Sequence, residues 1–468
     1  MRTLESYVQG VWHAPAPTGT VTHHAVTGEP VSSVSSNGID FAGTVAYAKE
    51  VGGGALGSLT FHERAALLKA LGQYLLAEKE GLYNLSTATG ATRTDSWIDI
   101  EGGAGVLLGY ASKGRRELPN STVLLDGDPE ILARDGSFIA THIATPLNGV
   151  AVQINAFNFP CWGALEKFAP ALLAGVPTII KPATQTAFLT EAMVRLIVES
   201  EILPDGALQL ICGDIGDLLG HLGGQDLIGF TGSASTAALL RAHPSVVERS
   251  TRFNAEADSL NTAILGHESG PGSPEFELFV AEVVTEMTVK AGQKCTAIRR
   301  ALVPHRHLEA ATAAVAASLD AVRVGDPADP DTRMGALVSK AQRTEVLNAI
   351  STLTRSTTVI TDSCEFHGVD PDKGAFLAPT LLRSDNPTDP SVHTTEAFGP
   401  VSTIMGYTDQ ADAIHLTSLG GGSLVASVYT ADPNEARALT TGISAHHGRV
   451  LVVDASISDT STGHGSPL

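Results

Sequence analysis

The sequence of 468 residues is poor in features that several classes of protein require. It has only four cysteines, and no two of them have CxxC spacing, so a disulfide framework is not predicted. The formal net charge of −20 argues against nucleic acid as a partner, because phosphate backbones are bound by basic surfaces. The 16 histidines show no metal-ligand spacing, so no metal site is predicted.

Long apolar runs are missing as well. The longest candidate, from Phe168 to Ile180, is interrupted by two prolines and a glycine and is too short to cross a bilayer. The first residues contain no apolar core of a signal peptide. Because hydrophobic residues make up 43% of the chain and charged residues only 17%, we expect a globular protein. The scarcity of cysteines and the missing signal and membrane segments predict a cytoplasmic location and no membrane partner. Its length predicts two or three domains.

The middle of the chain alternates strands and helices with short links. This order predicts right-handed crossovers and a parallel sheet of the dinucleotide-binding type, although no GxGxxG follows any of the strands. The predicted strands are 149–155, 176–181, 208–212 and 227–230, and the predicted helices are 161–175, 187–200 and a short 215–222.

The preceding segments are less regular. Residues 1–60 predict short strands and turns, after which Thr60 and Glu63 have the form of a capping box that opens a helix. A second helix is predicted at 97–112. Between 117 and 147, turn signals separate short apolar pieces. They predict a β-hairpin excursion, which serves subunit contacts or is a plain surface hairpin.

One cysteine stands in a setting suited to chemistry. Apolar residues recur at three- and four-residue steps from Pro274 to Ala291, which predicts a helix, and Gly292 suits the left-handed conformation that ends it. Cys295 therefore follows on a short turn, where a substrate can approach a nucleophile. The alternative is a small buried thiol, the commonest fate of a cysteine.

Other polar loops carry candidate residues, three of them directly after predicted strands, where open α/β sheets bind ligands. Each residue alone has a structural explanation, such as a turn asparagine, a surface lysine, a helix cap or a solvated acid. Their occurrence as a set favours a site. The loops are NAFNFP (155–160), KPAT (181–184), FTGS (230–233), NAEADS (254–259) and EAFGP (396–400).

In this order, and together with AGQKC (291–295), the loops resemble the aldehyde dehydrogenase superfamily, and the resemblance covers essentially the whole chain. It implies an α/β protein with the aldehyde dehydrogenase fold, in which a Rossmann-like parallel-sheet cofactor domain accompanies an α/β catalytic domain and a small β oligomerisation excursion. The NAD(P)-binding domain would comprise residues 1–116 together with 148–255, and the catalytic domain residues 256–450. The oligomerisation hairpin and a truncated C-terminal segment would comprise residues 117–147 and 451–468.

The resemblance also implies a cysteine mechanism. Cys295 would attack the aldehyde carbon to form a thiohemiacetal, while the Asn158 side-chain amide and the Cys295 backbone N–H would hold the oxyanion. Oxidation of this adduct leaves a thioester. Glu256 would then act as general base for the water that hydrolyses it.

For the cofactor, the resemblance implies NADP, with NAD as the other candidate. Many NAD-using relatives carry a glutamate three residues after the lysine that corresponds to Lys181, and here that place is Thr184. A carboxylate would repel a 2′-phosphate, whereas a hydroxyl can donate to it. The implied cofactor-binding residues are Asn155, Lys181, Thr184, Thr231, Gly232, Ser233, Glu396 and Phe398.

The sequences of the motifs most resemble those of the aldehyde dehydrogenase portion of the bacterial phenylacetate ring-opening enzyme. The matching motifs are INAFNFPCWG (154–163), EMTVKAGQKCTAIRR (286–300) and STGHGSPL (461–468). This implies a CoA-linked aldehyde, the 3-oxo-5,6-dehydrosuberyl-CoA semialdehyde of phenylacetate catabolism. The alternative is a sister family that oxidises 3,4-dehydroadipyl-CoA semialdehyde in aerobic benzoate breakdown. Two further hypotheses remain. One is CoA-acylating oxidation, which the presence of Glu256 disfavours. The other is a catalytically silent cofactor-binding or structural protein.

The resemblance implies a homodimer or a higher homo-oligomer. In the family, a last strand that commonly crosses to a partner subunit follows the point at which this sequence stops. The hydratase domain of the phenylacetate enzyme is missing as well. We therefore expect no ring-hydrolysing activity, and a weakened assembly if the last strand is truly absent.

Overall fold

The chain divides into two units in the computed structural model, which describes residues 1–15, 19–457 and 463–465. The first unit consists of Met1–His23, Glu29–Ser86 and Ser96–Ala257, and the second of His24–Gly28, Thr87–Asp95 and Asp258–Leu468. Of the string STGHGSPL (461–468), only residues 463–465 are among those described.

Up to Ala257, short strands and helices precede a regular alternation of the two. The strands are β1 (Arg2–Thr3), β2 (Ser6–Val8), β3 (Val11–His13), β4 (Thr20–His23), β5 (Pro30–Val34), β6 (Leu124–Leu125), β7 (Glu130–Ile131), β8 (Ile139–Ala140), β9 (Ile143–Ala144), β10 (Ala151–Ile154), β11 (Thr178–Lys181), β12 (Leu208–Leu210), β13 (Leu227–Gly232) and β14 (Arg252–Ala257). The α-helices are α1 (Phe41–Tyr47), α2 (Gly53–Gly57), α3 (Phe61–Ala77), α4 (Lys79–Ser86), α5 (Arg93–Glu117), α6 (Trp162–Leu173), α7 (Ala187–Glu199), α8 (Ala234–Arg241) and α9 (Pro244–Val247). A π-helical segment spans Ala48–Gly52, and single 3-10 turns lie at Thr87–Thr89, Thr184–Thr186 and Leu218–His221.

A seven-stranded sheet in the order β14-β13-β10-β11-β12-β2-β3 forms the framework of the first unit. The pairs from β14 to β12 are parallel, whereas β2 and β3 continue the sheet in antiparallel fashion. The predicted parallel sheet is thereby confirmed. The strand order reverses at β10, which pairs with β11 on one side and β13 on the other. In open α/β sheets, ligands bind at the carboxyl ends of the strands beside such a reversal.

The prediction for residues 1–60 is wrong in part, because α1 and α2 lie within this segment. Asp40 starts α1 by accepting a hydrogen bond from the backbone N–H of Gly43 at 2.9 Å. The glycines of this segment, which disfavour helices, conceal the helical signal. The capping box of Thr60 and Glu63 that opens α3 is confirmed. The second predicted helix is α5, which is longer at both ends than expected.

The excursion between α5 and β10 contains two small antiparallel ladders, β6 with β9 and β7 with β8. The predicted hairpin strands are therefore present. Six of its large apolar side chains are more than half exposed, a concentration that is typical of interaction surfaces. This apolar hairpin face consists of Leu125, Ile131, Leu132, Phe138, Ile139 and Ile143.

From Asp258 onward, strands and helices alternate again. The strands are β15 (Thr262–Leu265), β16 (Arg300–Pro304), β17 (Val324–Gly325), β18 (Thr358–Thr361), β19 (Phe366–His367), β20 (Thr380–Ser384), β21 (Val401–Tyr407), β22 (Ser423–Tyr429) and β23 (His447–Val453). The α-helices are α10 (Pro274–Thr288), α11 (Leu308–Asp320), α12 (Lys340–Leu353), α13 (Ser391–Thr394), α14 (Gln410–Ser418) and α15 (Pro433–Ile443), with 3-10 turns at Val289–Gly292, His305–His307 and Ser444–His446.

The second unit is built on its own seven-stranded sheet, in the order β18-β20-β21-β16-β15-β22-β23. All neighbouring pairs are parallel except β18 with β20. Along β15, Ile264 packs into one apolar cluster, while Ala263 and Leu265 pack into another. Since successive side chains of a strand point to opposite faces, both faces of this sheet are covered.

Candidate active site

Four parallel strands of the first unit bring predicted site residues to one end of the sheet. β10 stops just before Asn155, β11 ends at Lys181, β13 ends at Gly232, and β14 carries Glu256 near its end. The register places Thr231 opposite Glu256. Because the strands are parallel, these residues share the carboxyl end of the sheet, where such folds bind ligands.

Asn155 presents an amide that no described residue of the protein satisfies. Its backbone N–H donates to the carbonyl of Lys181 at 2.9 Å, which fixes the residue beside β11. The residue is 5% exposed, yet neither Oδ1 nor Nδ2 has a hydrogen-bond partner among the described residues. A buried polar group without a partner costs about 1–3 kcal/mol. This position therefore fits a polar ligand such as a dinucleotide.

A cation and a hydroxyl follow β11. Burial lowers the pKa of the Lys181 ammonium from its ordinary value, while the Asp214 carboxylate opposes this shift. Thr184 begins the 3-10 turn after β11 and is partly exposed. A partly desolvated ammonium gains most from an anionic partner, which favours a phosphate, and the ammonium and the hydroxyl can both also bond to ribose hydroxyls.

The end of β13 leads into a helix start of the kind that binds anions. Ser233 is the N-cap of α8, and its hydroxyl accepts a hydrogen bond from the Thr236 N–H at 3.3 Å. The Thr231 hydroxyl has no hydrogen-bond partner in the described part of the chain. At Gly232, a Cβ would lie 2.6 Å from the Phe230 ring, so a larger residue would displace this ring. A cleft of about 480 Å³, lined mainly by alanines of α8 and β14, opens beside this segment.

The loop that carries Asn158 is held in place by α5. The Asp99 carboxylate accepts hydrogen bonds from the backbone N–H groups of Cys161 at 3.1 Å and Trp162 at 2.9 Å, which satisfies the start of α6. Asn158 itself is 7% exposed. No local pattern singles out Asp99, because its partners are distant in sequence.

In the second unit, Cys295 lies on a turn and is partly exposed, as its sequence context predicts. The side-chain amide of Asn261 donates to the carbonyls of Cys295 at 2.7 Å and Ala297 at 3.0 Å. The Asn261 Oδ1 accepts from the Ser259 hydroxyl at 2.8 Å and the Val425 N–H at 3.1 Å. Asn261, which the sequence pattern does not identify as a site residue, therefore braces the turn that presents the thiol.

The helix before this turn ends earlier than predicted, in a strained conformation. α10 stops at Thr288, and φ is 55° at Lys290, 51° at Ala291 and 67° at Gly292. Only the last is a glycine, so two residues with side chains occupy the left-handed region, at a cost of about 1–2 kcal/mol each. The Asp95 carboxylate supports the segment by accepting a hydrogen bond from the Lys290 N–H at 2.8 Å. Strain of this kind is typical of functional sites.

Glu396 and Phe398 lie on the loop before β21. Burial raises the pKa of Glu396 to about 7, Arg299 opposes this shift, and the Asp258 carboxylate adds to it. The Glu396 Oε1 atom accepts no hydrogen bond from the residues that the structure describes. A buried carboxylate oxygen of this kind fits a hydroxyl donor such as a ribose. Arg299, a further residue without a local signal, contacts both this loop and the turn of Cys295.

No group of three or more His, Cys, Asp or Glu side chains among the described residues could hold a metal ion. Over the same ranges of the chain, no helix combines the length and the apolar character needed to cross a bilayer.

Comparisons with known proteins agree with this architecture. The chain matches the aldehyde dehydrogenase family over residues 12–465. It is 46% identical to 3,4-dehydroadipyl-CoA semialdehyde dehydrogenase of Aromatoleum evansii, over 99% of this chain and 91% of the relative.

Solved structures show the same fold. Betaine aldehyde dehydrogenase of Staphylococcus aureus in complex with NAD+ has a TM-score of 0.84 at 23% identity, and the match covers 96% of this chain and 87% of that one. For 3,6-anhydro-L-galactose dehydrogenase the TM-score is 0.83 at 20% identity, with 99% and 93% covered. The predicted fold class is thus confirmed. From the family match along almost its whole length, the chain belongs to the aldehyde dehydrogenase family and is an NAD(P)-dependent aldehyde dehydrogenase.

Proposed function

We propose that this enzyme oxidises a CoA-linked aliphatic semialdehyde to the carboxylic acid, with NADP as its cofactor. The observation that supports this chemistry is the position of Cys295, which is partly exposed on a strained turn. The side-chain amide of Asn261 donates a hydrogen bond to the Cys295 carbonyl and so holds this turn. Support for a CoA-linked substrate comes from the relative at 46% identity, which is a CoA-semialdehyde dehydrogenase by name.

In the proposed reaction, the thiolate of Cys295 adds to the aldehyde carbon. The Asn158 amide and the Cys295 backbone N–H stabilise the oxyanion that forms. When bound, the cofactor supplies the two-electron oxidant that converts this adduct to a thioester. Glu256 then takes a proton from the attacking water, the C–S bond breaks, and the acid leaves as the sulfur of Cys295 is restored.

The cofactor, in this proposal, is held by polar groups that have no hydrogen-bond partner among the described residues. The Asn155 amide, the Thr231 hydroxyl and the Glu396 Oε1 atom are the groups that support this assignment. The segment 1–116 with 148–255 would bind the cofactor, and the segment 256–450 would supply the nucleophile. The proposed contacts are Asn155, Lys181, Thr184, Thr231, Gly232, Ser233, Glu396 and Phe398.

Exchange of Thr184 for glutamate should reverse the cofactor preference. A carboxylate at this position would repel the 2′-phosphate of NADP but could accept hydrogen bonds from the ribose hydroxyls of NAD. We expect Thr184→Glu to raise the Kd for NADP about tenfold or more, while the Kd for NAD stays constant or falls. Fluorescence titration with both cofactors measures this, and Thr184→Gln controls for side-chain size. Equal weakening of both cofactors would contradict the proposed contact.

The function itself is tested by following NADPH formation from a panel of aldehydes. The panel contains 3,4-dehydroadipyl-CoA semialdehyde, the substrate in the name of the relative at 46% identity. It also contains 3-oxo-5,6-dehydrosuberyl-CoA semialdehyde, the substrate that the motif sequences favour. Free semialdehydes of the same chain lengths are the matched controls. A clearly higher kcat/KM for one of the CoA-linked aldehydes supports the proposal, and equal values for the free ones contradict it.

The fate of the acyl group separates hydrolysis from transfer to CoA. If Glu256 activates water, the free acid accumulates without added CoA and Glu256→Gln stops after one turnover. If the enzyme is CoA-acylating, product formation requires free CoA. Mass spectrometry of the products distinguishes the two reactions.

We also propose that the apolar hairpin face joins copies of the chain into a dimer or a higher oligomer. Phe138 is 62% exposed, and burying a charge in an apolar contact is costly. Phe138→Asp should therefore dissociate the assembly, whereas Val247→Asp, at an apolar residue of α9 that is 68% exposed, should not. Light scattering on a sizing column measures the masses. A wild-type monomer, or an unchanged mass for Phe138→Asp, would rule out this interface.

A cytoplasmic location is part of the proposal. Its support is the small number of cysteines, none of which forms a disulfide among the described residues, and the acidic composition of the chain.

A further inference from the structure

One arginine contacts both segments that carry the proposed chemistry of the second unit. These are the cysteine turn (residues 290–296) and the glutamate loop (residues 395–399). The Arg299 Nη2 group donates to two carbonyls of the cysteine turn, at 2.8 Å and 3.2 Å. Its Nη1 group donates to the carbonyl of Gly399 in the glutamate loop at 2.8 Å. The two segments are therefore bridged by one side chain.

The same guanidinium faces two side chains of the glutamate loop. Its Nε atom lies 3.8 Å from the Glu396 Oε1 atom, and its Cζ atom lies 5.5 Å from the centroid of the Phe398 ring. The Arg299 side chain is only 3% exposed and that of Glu396 10%. Burial shields these interactions from water and strengthens them.

The backbone of Arg299 is itself fixed. Its N–H donates to the Asn261 carbonyl at 3.1 Å, and its carbonyl accepts from the Thr403 N–H at 2.9 Å. The residue lies directly before β16, in the middle of the parallel sheet. The guanidinium is thus attached to the rigid part of the second unit, and the two loops are attached to the guanidinium.

We propose that Arg299 is a positioning residue that holds the cysteine turn and the glutamate loop in one arrangement. The Cys295 thiol and the Glu396 carboxylate then keep a constant relation to each other. The inference rests on the proposed roles of Cys295 and Glu396, and it assigns to Arg299 an action through backbone carbonyls and a carboxylate rather than on the substrate.

The cysteine turn needs such a brace because of its backbone. Lys290 and Ala291 occupy the left-handed region at a cost in energy, and strained conformations persist only where their surroundings over-determine them. A guanidinium is suited to this task, since its planar fork can donate to several carbonyls while its face packs on an aromatic ring. Lysine offers a compact charge without that geometry.

Arg299 also stabilises the ionised form of the Glu396 carboxyl group. Burial raises the pKa of Glu396, the Asp258 carboxylate adds to the rise, and Arg299 and the Ser259 N–H act against it. Below its pKa the carboxyl is neutral and a weaker acceptor for a ribose hydroxyl. Cofactor affinity should therefore increase as the pH rises through about 7. Without the positive charge of Arg299, this increase moves to higher pH.

The neighbouring arginine provides a matched control. Arg300 is 1% exposed and also donates to backbone carbonyls, those of Leu260 at 2.7 Å and Leu416 at 3.0 Å among them. No hydrogen bond described for its side chain reaches the cysteine turn or the glutamate loop. Arg300→Lys should therefore lower stability without the specific effects expected at Arg299.

The test compares Arg299→Lys, which keeps the charge, Arg299→Gln, which removes it, and Arg300→Lys. The first readout is the rate at which iodoacetamide alkylates Cys295 in the cofactor-free enzyme. The second is the pH dependence of cofactor affinity, measured with NADP and with NAD, because the 2′-phosphate of NADP titrates near pH ~6 itself. The third is the thermal midpoint.

We expect Arg299→Lys and Arg299→Gln to slow alkylation about tenfold or more, because a displaced turn no longer places the thiol beside the backbone donors that stabilise its thiolate. In Arg299→Gln alone, the rise in cofactor affinity should move upward by about one pH unit. Arg300→Lys should lower the thermal midpoint and leave alkylation and the pH profile unchanged. If Arg299→Lys behaves like Arg300→Lys in all three readouts, the arginine is merely structural and the inference is overturned.

A second variant covers the case in which the Arg299 variants do not fold. Phe398→Leu removes the ring beside the guanidinium, and it should slow alkylation of Cys295 even without cofactor, because the two segments are coupled through Arg299. An unchanged rate overturns the coupling. Failure of the proposed function is recognised by a different measurement. Full turnover by Cys295→Ala would show that Cys295 is not the nucleophile. Alkylation and cofactor binding, in contrast, report on the two segments without any turnover.

Discussion

Alanine in place of Cys295 is expected to abolish aldehyde oxidation and to leave a folded protein that still binds NADP. In a covalent mechanism, no step can begin once the nucleophile is gone, so we expect kcat to fall by at least about 10⁴-fold. The Kd for NADP should remain within about twofold, since the first unit carries most of the proposed cofactor contacts. NADPH formation and fluorescence titration measure the two quantities on the same preparation.

The control for this substitution is Cys364→Ala. Burial raises the pKa of the Cys364 thiol to about 11, so few of these side chains are thiolates near neutral pH. This variant should keep wild-type activity. Oxidation that survives in Cys295→Ala, or that disappears in Cys364→Ala, would show that the nucleophile is misassigned.

Alanine in place of Gly292 should disrupt the turn that presents the thiol. A Cβ at this position would lie 2.1 Å from the Gly399 carbonyl oxygen, and φ is +67°, where side chains are strained. Left-handed strain and overpacking together should destabilise the second unit by about 3 kcal/mol. Because the clash pushes the cysteine turn away from the glutamate loop, we expect activity to be lost even at temperatures at which the protein stays folded.

Gly272 offers a control that separates the two causes. It has a φ of +88°, but a Cβ there would meet no atom within 4 Å. Gly272→Ala should therefore show only the backbone strain, about 1 kcal/mol, and full activity. Denaturation midpoints and NADPH formation compare the two variants. Equal midpoints and equal activities for both variants would mean that the close contact between Gly292 and the Gly399 carbonyl affects neither stability nor activity.

Much of the first unit could be predicted because its signals are local. The alternation of apolar strands and helices between Gly149 and Phe230 requires a parallel sheet, and the structure confirms it. The capping box at Thr60 is likewise contained within four residues and is confirmed. In contrast, the glycine-rich helices before residue 57 were concealed, because glycine reduces helical propensity while the Asp40 cap and packing restore the helix.

The braces of the candidate site could not be predicted in the same way. Asp99 reaches the start of α6, and Asn261 reaches the carbonyl of Cys295, from positions far away in sequence. Arg299 is close to Cys295 in sequence, but its contact with Gly399 joins segments 100 residues apart. Such hydrogen bonds depend on which strands become neighbours, and no period or spacing in the chain records that.

The sequence by itself determined the family, the α/β architecture and the identity of the candidate nucleophile, because motif order and hydrophobic period are properties of the chain. Only the tertiary structure decided that Lys290 and Ala291 adopt the left-handed conformation as well as Gly292, and that Arg299 joins this turn to Glu396. Strain is tolerated, and a buried carboxylate and guanidinium are kept together, only where the folded surroundings compensate for their cost.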